Sequence, residues 1–148
     1  MNHAVLDRSF SIDPAGLLPP VTSENAPFWD GLVQGRLMLQ GCQSCRKLRY
    51  PIAPVCPACG GAQFDWDEAS GRGKVFSWVR YHRSYLPEFA DRLPYIVALV
   101  ELDEGPRLFA HLVNGEFDPF IGQPVRLVIE RWPAGRCVAS FTSSGAEL

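Results

Sequence analysis

The chain has 148 residues, with 14 Lys+Arg against 16 Asp+Glu for a formal net charge of −2, and is 47% hydrophobic and 20% charged. This is the composition of a globular domain, or of two small modules sharing a surface, and its near-neutral balance argues against a protein that lives on phosphate electrostatics. No apolar run nears the ~18 residues of a membrane span, and residues 1–10, with Asp7 and Arg8, lack the apolar core of a signal peptide. The expectation is a cytoplasmic protein with no membrane role.

Residues 1–22 show no sustained period and end in Leu17-Leu18-Pro19-Pro20, which predicts an extended or partly ordered arm able to wrap the body or a partner. Residues 23–70 form the next unit. Ser23 supplies a helix-capping side chain and Pro27 suits a first helical turn. Phe28 with Leu32 and Trp29 with Val33 are i, i+4 pairs, so a short helix runs to about Gly35 and must dock to be stable. Arg36–Gln40 then alternates as a short strand leading into the cysteines.

Four of the five cysteines lie within Cys42–Cys59, as Cys42-Gln-Ser-Cys45, ten residues, then Cys56-Pro-Ala-Cys59. A Cys-x-x-Cys turn aims two sulfurs at one centre, and two such turns joined by a hairpin make a tetrahedral four-sulfur cage. Gly41, Gly60 and Gly61 stand where the knuckles need a tight backbone. Two pairs flanking a proline-rich hairpin do not match the single pair of a thioredoxin-like site, and disulfides would need an oxidising compartment. One structural zinc per chain is expected, with Cys42, Cys45, Cys56 and Cys59 as ligands; iron satisfies the same donor set. All four positions belong to protein, so none is open for water and the site is structural, not catalytic. Arg36, Arg46, Lys47 and Arg49 lie between Gly31 and Phe64, a stretch without acids, and they offset the cage's charge or face an anionic partner. Cys137 stands apart, as a small buried residue.

After the acidic Phe64–Glu68 segment, Gly71-Arg72-Gly73 predicts a flexible junction, and residues 71–142 read as strands. These are Lys74–Tyr81, Tyr95–Leu102, Arg107–Val113, Val125–Trp132 and Cys137–Phe141, with an Asn114-Gly115 turn opening a longer connection through Phe117. Five short strands with a long first loop suit an OB-fold barrel, with an SH3-like barrel as the structural alternative. The fold class is therefore mainly β: an N-terminal helix, a rubredoxin-like four-cysteine zinc ribbon, then a five-stranded barrel. Residues 143–148 form a polar tail.

The order of these pieces carries a resemblance. Phe28-Trp29-Asp30-Gly31-Leu32, Gly35-Arg36-Leu37, both cysteine pairs around Tyr50-Pro51, Gly71-Arg72-Gly73-Lys74-Val75, Pro94-Tyr95, Val100-Glu101-Leu102, Gly105 and Ile121-Gly122-Gln123-Pro124-Val125 follow one another in this chain. Together they resemble the small zinc-ribbon/OB-fold, acyl-CoA-associated family catalogued as a domain of unknown function. The resemblance covers about Ser23 to Phe141. It implies a non-catalytic accessory subunit of a thiolase-superfamily enzyme: a thiolase, an acyltransferase or a retro-aldolase of sterol side-chain degradation. It also implies pairing in some members with a hot-dog hydratase, and contact with an acyl-CoA thioester. The family's metal ligands fall on Cys42, Cys45, Cys56 and Cys59.

The residues themselves nominate a contact surface. The connection His82–Leu93 interleaves Tyr85, Leu86 and Phe89 with Arg83, Glu88, Asp91 and Arg92, as a protein interface does. The opposing expectation is that Leu86 and Phe89 fold back over the barrel. Phosphates of CoA would need cations; Arg46, Lys47 and Arg49 in the ribbon and Arg80 and Arg83 beside the barrel are the candidates. The alternative function is single-stranded nucleic-acid binding, with Phe76, Trp78 and Tyr81 stacking bases, but Glu101, Asp103, Glu104, Glu116 and Asp118 oppose the positive groove it needs. No serine, cysteine or histidine stands in a context for catalysis, so no catalytic residue is assigned.

Overall fold

The computed structural model describes residues 3–113 and 118–148; the predicted Asn114-Gly115 turn, Glu116 and Phe117 lie outside the described residues. Strand β1 is Val5–Asp7, and helix α1 is Ala26–Val33. Strands β2 (Leu37–Cys42), β3 (Leu48–Arg49) and β4 (Phe64–Ala69) form one three-stranded antiparallel sheet in the order β3-β2-β4. Strands β5 (Arg72–Tyr81), β6 (Tyr95–Leu102), β7 (Arg107–Leu112), β8 (Pro124–Arg131) and β9 (Cys137–Ser143) form the second sheet. There β8 pairs with both β5 and β9, and β7 runs parallel to β9, so five strands close on themselves. One parallel contact in an otherwise antiparallel ring is the OB arrangement expected from the sequence.

Helix α1 starts two residues later than a cap at Ser23 predicts. Asn25 precedes it, and Thr22 and Asn25 cap each other reciprocally: Asn25 Oδ1 accepts from the Thr22 amide at 2.7 Å and Thr22 Oγ1 from the Asn25 amide at 3.3 Å. Pro27 sits in the first turn, where its missing N–H costs nothing. The helix passes so close to the following strand that a Cβ on Gly31 would stand 2.6 Å from Met38 Cγ.

The core ignores the predicted module boundary. Leu32, Leu37 and Leu39 pack in one cluster with Val75, Ala98, Val100, Leu127, Ile129 and Phe141. The junction also differs from expectation. Only Ser70 and Gly71 separate β4 from β5, Gly71 adopts φ 73°, and its carbonyl accepts from the Leu127 amide at 2.7 Å. It is a tight, bonded turn, because the ribbon and barrel share the core on either side of it.

The N-terminal arm wraps the body and adds a strand to it. β1 joins the barrel as a parallel strand, with Val5, Leu6 and Asp7 opposite Ile129, Glu130 and Arg131. The arm then crosses the outer face of β8 and β9, where Glu130 is fully buried. Glu130 Oε1 accepts from Ser140 Oγ at 2.9 Å, and Arg8 and Arg92 approach Oε2 at 3.2 and 3.4 Å. Phe10 packs edge-on to Trp132 at 4.8 Å, beneath the Arg92 guanidinium at 4.0 Å. Two segments distant in sequence, the arm and the loop before β6, thus share one carboxylate and one aromatic cluster.

Candidate functional site

The four cysteines of the two knuckles meet. Their Sγ atoms all lie within 4.8 Å of one another, with Cys42–Cys59 and Cys45–Cys56 each at 3.6 Å. A tetrahedron with metal–sulfur bonds near ~2.3 Å has sulfurs about 3.8 Å apart, so this cage has the size of a tetrathiolate metal site. Strand β2 delivers Cys42 from its end. In the first knuckle the Cys42 amide donates to Lys47 O at 3.0 Å and the Arg46 amide to Cys42 O at 2.9 Å; in the second, Cys56 N donates to Gly61 O and Gly60 N to Cys56 O, both at 2.8 Å. Each knuckle needs one left-handed residue directly after its second cysteine: Arg46 at φ 64° and Gly60 at φ 77°. Glycine is free in that region and arginine is strained there, so Arg46 is held by its knuckle.

Backbone amides aim at the sulfurs. The Cys45 and Ser44 amides hold the Cys42 thiol down, to about 6, against the opposing effect of burial. The Ala58 and Cys59 amides lower Cys56. For Cys59 the Gly61 amide also favours the thiolate, but the adjoining Cys42 and the other sulfurs overcome it and push the thiol up to about 11. Four sulfurs this close cannot all hold negative charge without a cation among them. The donor set therefore fits a divalent ion, and when bound that ion would cross-link β2, the two knuckles and the loop between them. Cys137 is buried in the barrel core, away from the cage.

Among the nominated contact residues, Arg46, Lys47, Arg83 and Tyr85 are exposed, Tyr85 at 73%. Arg83 lies 6.0 Å from the Tyr85 ring. Two of the nominations are corrected. Phe89 is only 5% exposed; it packs against Tyr95, His111, Trp132 and Phe10, so it folds back over the barrel instead of facing a partner. Arg49 is also 5% exposed, its Nε donating to Gln40 Oε1 and its NH2 to Ala53 O, so it does not join Arg46 and Lys47 on the surface. Arg80 is half-buried, pairs with Asp118 at 2.7 Å and stacks on Trp78. The aromatic rings nominated for base stacking are engaged as well: Phe76 lies under Arg107 at 3.6 Å, Trp78 packs on the core and Tyr81 stacks on Tyr95 at 4.9 Å.

Sequence reasoning missed Glu130 and its cluster. Leu127 and Ile129 of β8 face the core, so alternation turns Glu130 outward, and nothing local to β8 signals that Arg8 and Phe10 return to cover it. Among the described residues, no helix is long and apolar enough to cross a membrane.

Comparison with known proteins agrees with this architecture. Residues 29–65 match the family model described as "ChsH2, rubredoxin-like zinc ribbon domain", and residues 66–130 match "ChsH2, C-terminal OB-fold domain". The chain is 45% identical over 112 residues to a "Probable enoyl-CoA hydratase alpha subunit" of Thermomonospora curvata, covering 74% of this chain and 34% of that protein. It is 31% identical over 71 residues to the "Benzoylsuccinyl-CoA thiolase subunit BbsA" of Thauera aromatica, covering 48% of this chain and 47% of that one. The chain thus spans a third to a half of the length of these curated relatives. A solved structure titled "Ltp2-ChsH2(DUF35) aldolase" superimposes with a TM-score of 0.76 at 37% identity, over 86% of this chain and 99% of that one. Covering 99% of a solved member at 37% identity, and matched by both domain models in order, the chain belongs to the DUF35 family of zinc-ribbon/OB-fold proteins.

Proposed function

We propose that this chain is a non-catalytic accessory subunit of a thiolase-superfamily enzyme acting on acyl-CoA, with a structural zinc held by Cys42, Cys45, Cys56 and Cys59. The partner is a thiolase-like or aldolase-like subunit, and the hydratase alpha subunit among the relatives adds a hot-dog hydratase as a second associate. The observation that carries this reading is the match, over 86% of this chain and 99% of that one, to the chain solved in the Ltp2-ChsH2(DUF35) aldolase. The thiolase subunit BbsA supports the same class of partner. The site chemistry is consistent with a supporting role, because a cage of four cysteines leaves a metal no open position for substrate. Free thiols with this geometry suit a reducing cytoplasm.

In this reading the exposed tip of the 82–93 loop, with Arg83, Tyr85 and Leu86, faces the partner, while Arg46 and Lys47 are the ribbon cations free to meet CoA phosphates. Tyr85 offers large area at little entropic cost, as interface tyrosines do. The test is co-expression with a thiolase-like chain encoded beside it, followed by size-exclusion chromatography with light scattering. A stable hetero-oligomer is expected, with acyl-CoA turnover by the partner and none by the isolated chain. Failure to associate with any such neighbour, or thioester turnover by the isolated chain, contradicts the proposal.

A further inference from the structure

The ribbon carries an open groove of about 540 Å³, within the range of small-molecule sites. Its walls are Ile52, Pro54, Phe64 and Trp66, and the buried Gln40 forms part of its floor. Behind that floor lies Arg49. Its Nε donates to Gln40 Oε1 at 2.8 Å and its NH2 to Ala53 O at 2.9 Å, while its guanidinium carbon stands 5.0 Å from the Phe64 ring centre. The third nitrogen, NH1, is buried with no hydrogen-bond partner, and among the described residues no carboxylate lies within ion-pair distance of this cation. Buried charges are ordinarily paired, because stripping water from an ion is costly. The thiolate cage nearby adds negative charge at a distance but no acceptor for NH1.

The same contacts orient Gln40. Its Oε1 accepts from Arg49 Nε and, at 2.9 Å, from the Ala53 amide, so the carbonyl end of the side chain is committed. Its Nε2 is then the end left over, without an acceptor among the described residues, on the residue that lines the groove. A donor whose own carbonyl is hydrogen-bonded to a cation is polarised and strengthened. The groove thus has largely apolar walls edged by Ser23 and Glu24, one oriented donor in its floor, and a positive charge without a carboxylate partner behind that donor.

We propose that this groove binds a small apolar carboxylate, the head group accepting from Gln40 Nε2 over the Arg49 charge and the chain lying along Ile52, Pro54, Phe64 and Trp66. Arg49 acts through Gln40 as a positioning and charge-compensating residue. Glu24 also borders the groove, but it is exposed, and solvent screens its repulsion of a single negative charge. The site rests on the ribbon's own geometry and is independent of the partner proposed above.

The test is titration of the metal-loaded full chain with octanoate, methyl octanoate and octylamine, read by calorimetry and by the NMR signal of the Gln40 side-chain amide. Octanoate is expected to bind saturably and shift that amide, with the ester and the amine each weaker by at least about tenfold. Trp66→Ala should weaken octanoate by about tenfold while leaving metal content and circular dichroism unchanged. Arg49→Met should abolish the preference for acid over ester; if that variant fails to fold, the wild-type ester comparison and Trp66→Ala decide. Equal binding of acid and ester, an unmoved Gln40 amide, or unchanged binding by Trp66→Ala each overturns the proposal.

Discussion

In the barrel, β8 is hydrogen-bonded to β9 along Val125–Arg131, to β5 at one end and to β1 at the other. In the ribbon, β3 is two residues long and the 14 residues between it and β4 form no regular strand. The barrel is therefore ordered by a closed ring of main-chain bonds around an apolar core. Beyond the Arg49–Gln40–Ala53 hydrogen bonds and the packing of Leu48 and Tyr50, the knuckle end of the ribbon has little but the four sulfurs to organise it, because Ile52 and Val55 are exposed. The barrel is thus vulnerable to loss of packing, and the ribbon to loss of one ion.

The largest effect should come from breaking the cage. Metal binding is worth on the order of 10–16 kcal/mol in small finger peptides, which matches or exceeds the stability of a whole domain. Cys56→Ser, or a strong chelator, should therefore strip the ion and release residues 42–61 to hydrogen exchange, with β5–β9 still protected. Equal loss of protection in both halves would show that the shared core, with Leu32, Leu37 and Leu39, welds them into one cooperative unit.

Phe141→Ala probes the other side of the comparison. Phe141 is fully buried in the barrel core, so its truncation should cost roughly 3–5 kcal/mol by thermal or denaturant unfolding, with one metal ion per chain retained until the chain unfolds. The comparison fails if that substitution releases metal under native conditions.

Glu130→Gln should cost less, on the order of 1.5–3 kcal/mol, because the half-buried Arg8 and Arg92 lose their charged partner while Ser140 keeps an acceptor. Its local signature is faster exchange in residues 4–10 and in 84–93 together, since one carboxylate holds both. Loosening of one segment without the other would separate them.

The same cluster sets an acid response. Burial lowers the His111 pKa from 6.5, with Glu130 opposing and Arg92 and Arg8 assisting, and Phe89 and Tyr95 pack against the ring. The folded state thus resists a proton that the unfolded chain accepts, and stability falls as pH drops below about 6.5. Burial alone would raise the Glu130 carboxyl, but Arg8 first, then Ser140, His111 and Arg92, hold it below its usual 4.5. Its contribution is complete above that value and is lost as pH falls through the lowered one. His111→Gln should therefore flatten the loss of arm protection between about pH 7 and pH 5 while leaving the change below 4.5 in place.

The smallest effect belongs to the outer face of the barrel. Phe109 is 73% exposed, so Phe109→Ser should change the stability of the isolated chain by no more than about 0.5 kcal/mol.

Legibility from the sequence followed the same division. Tyr95–Leu102 was readable to the residue, because β-rich alternation is bounded by Pro94 and the Asp103–Gly105 turn. The cysteine pairs announced their cage by spacing alone. The arm did not announce itself, because Val5-Leu6-Asp7 is too short to show a period and pairs with residues more than 120 positions away. Arg49 read as one more surface cation beside Arg46 and Lys47, and only the fold reveals Gln40 and Ala53 around it. Phe89 read first as an interface residue and second as a lid; its contact with Phe10 depends on that same unannounced arm. Periodicity reports which face of a strand is apolar, and it carries no information on what a distant segment brings to the other face.

The most direct measurement is elemental analysis of reduced, natively expressed protein, paired with hydrogen exchange of residues 42–61. About one zinc per chain is expected, removed only with loss of protection in that segment. A metal-free chain whose knuckles remain fully protected would contradict it.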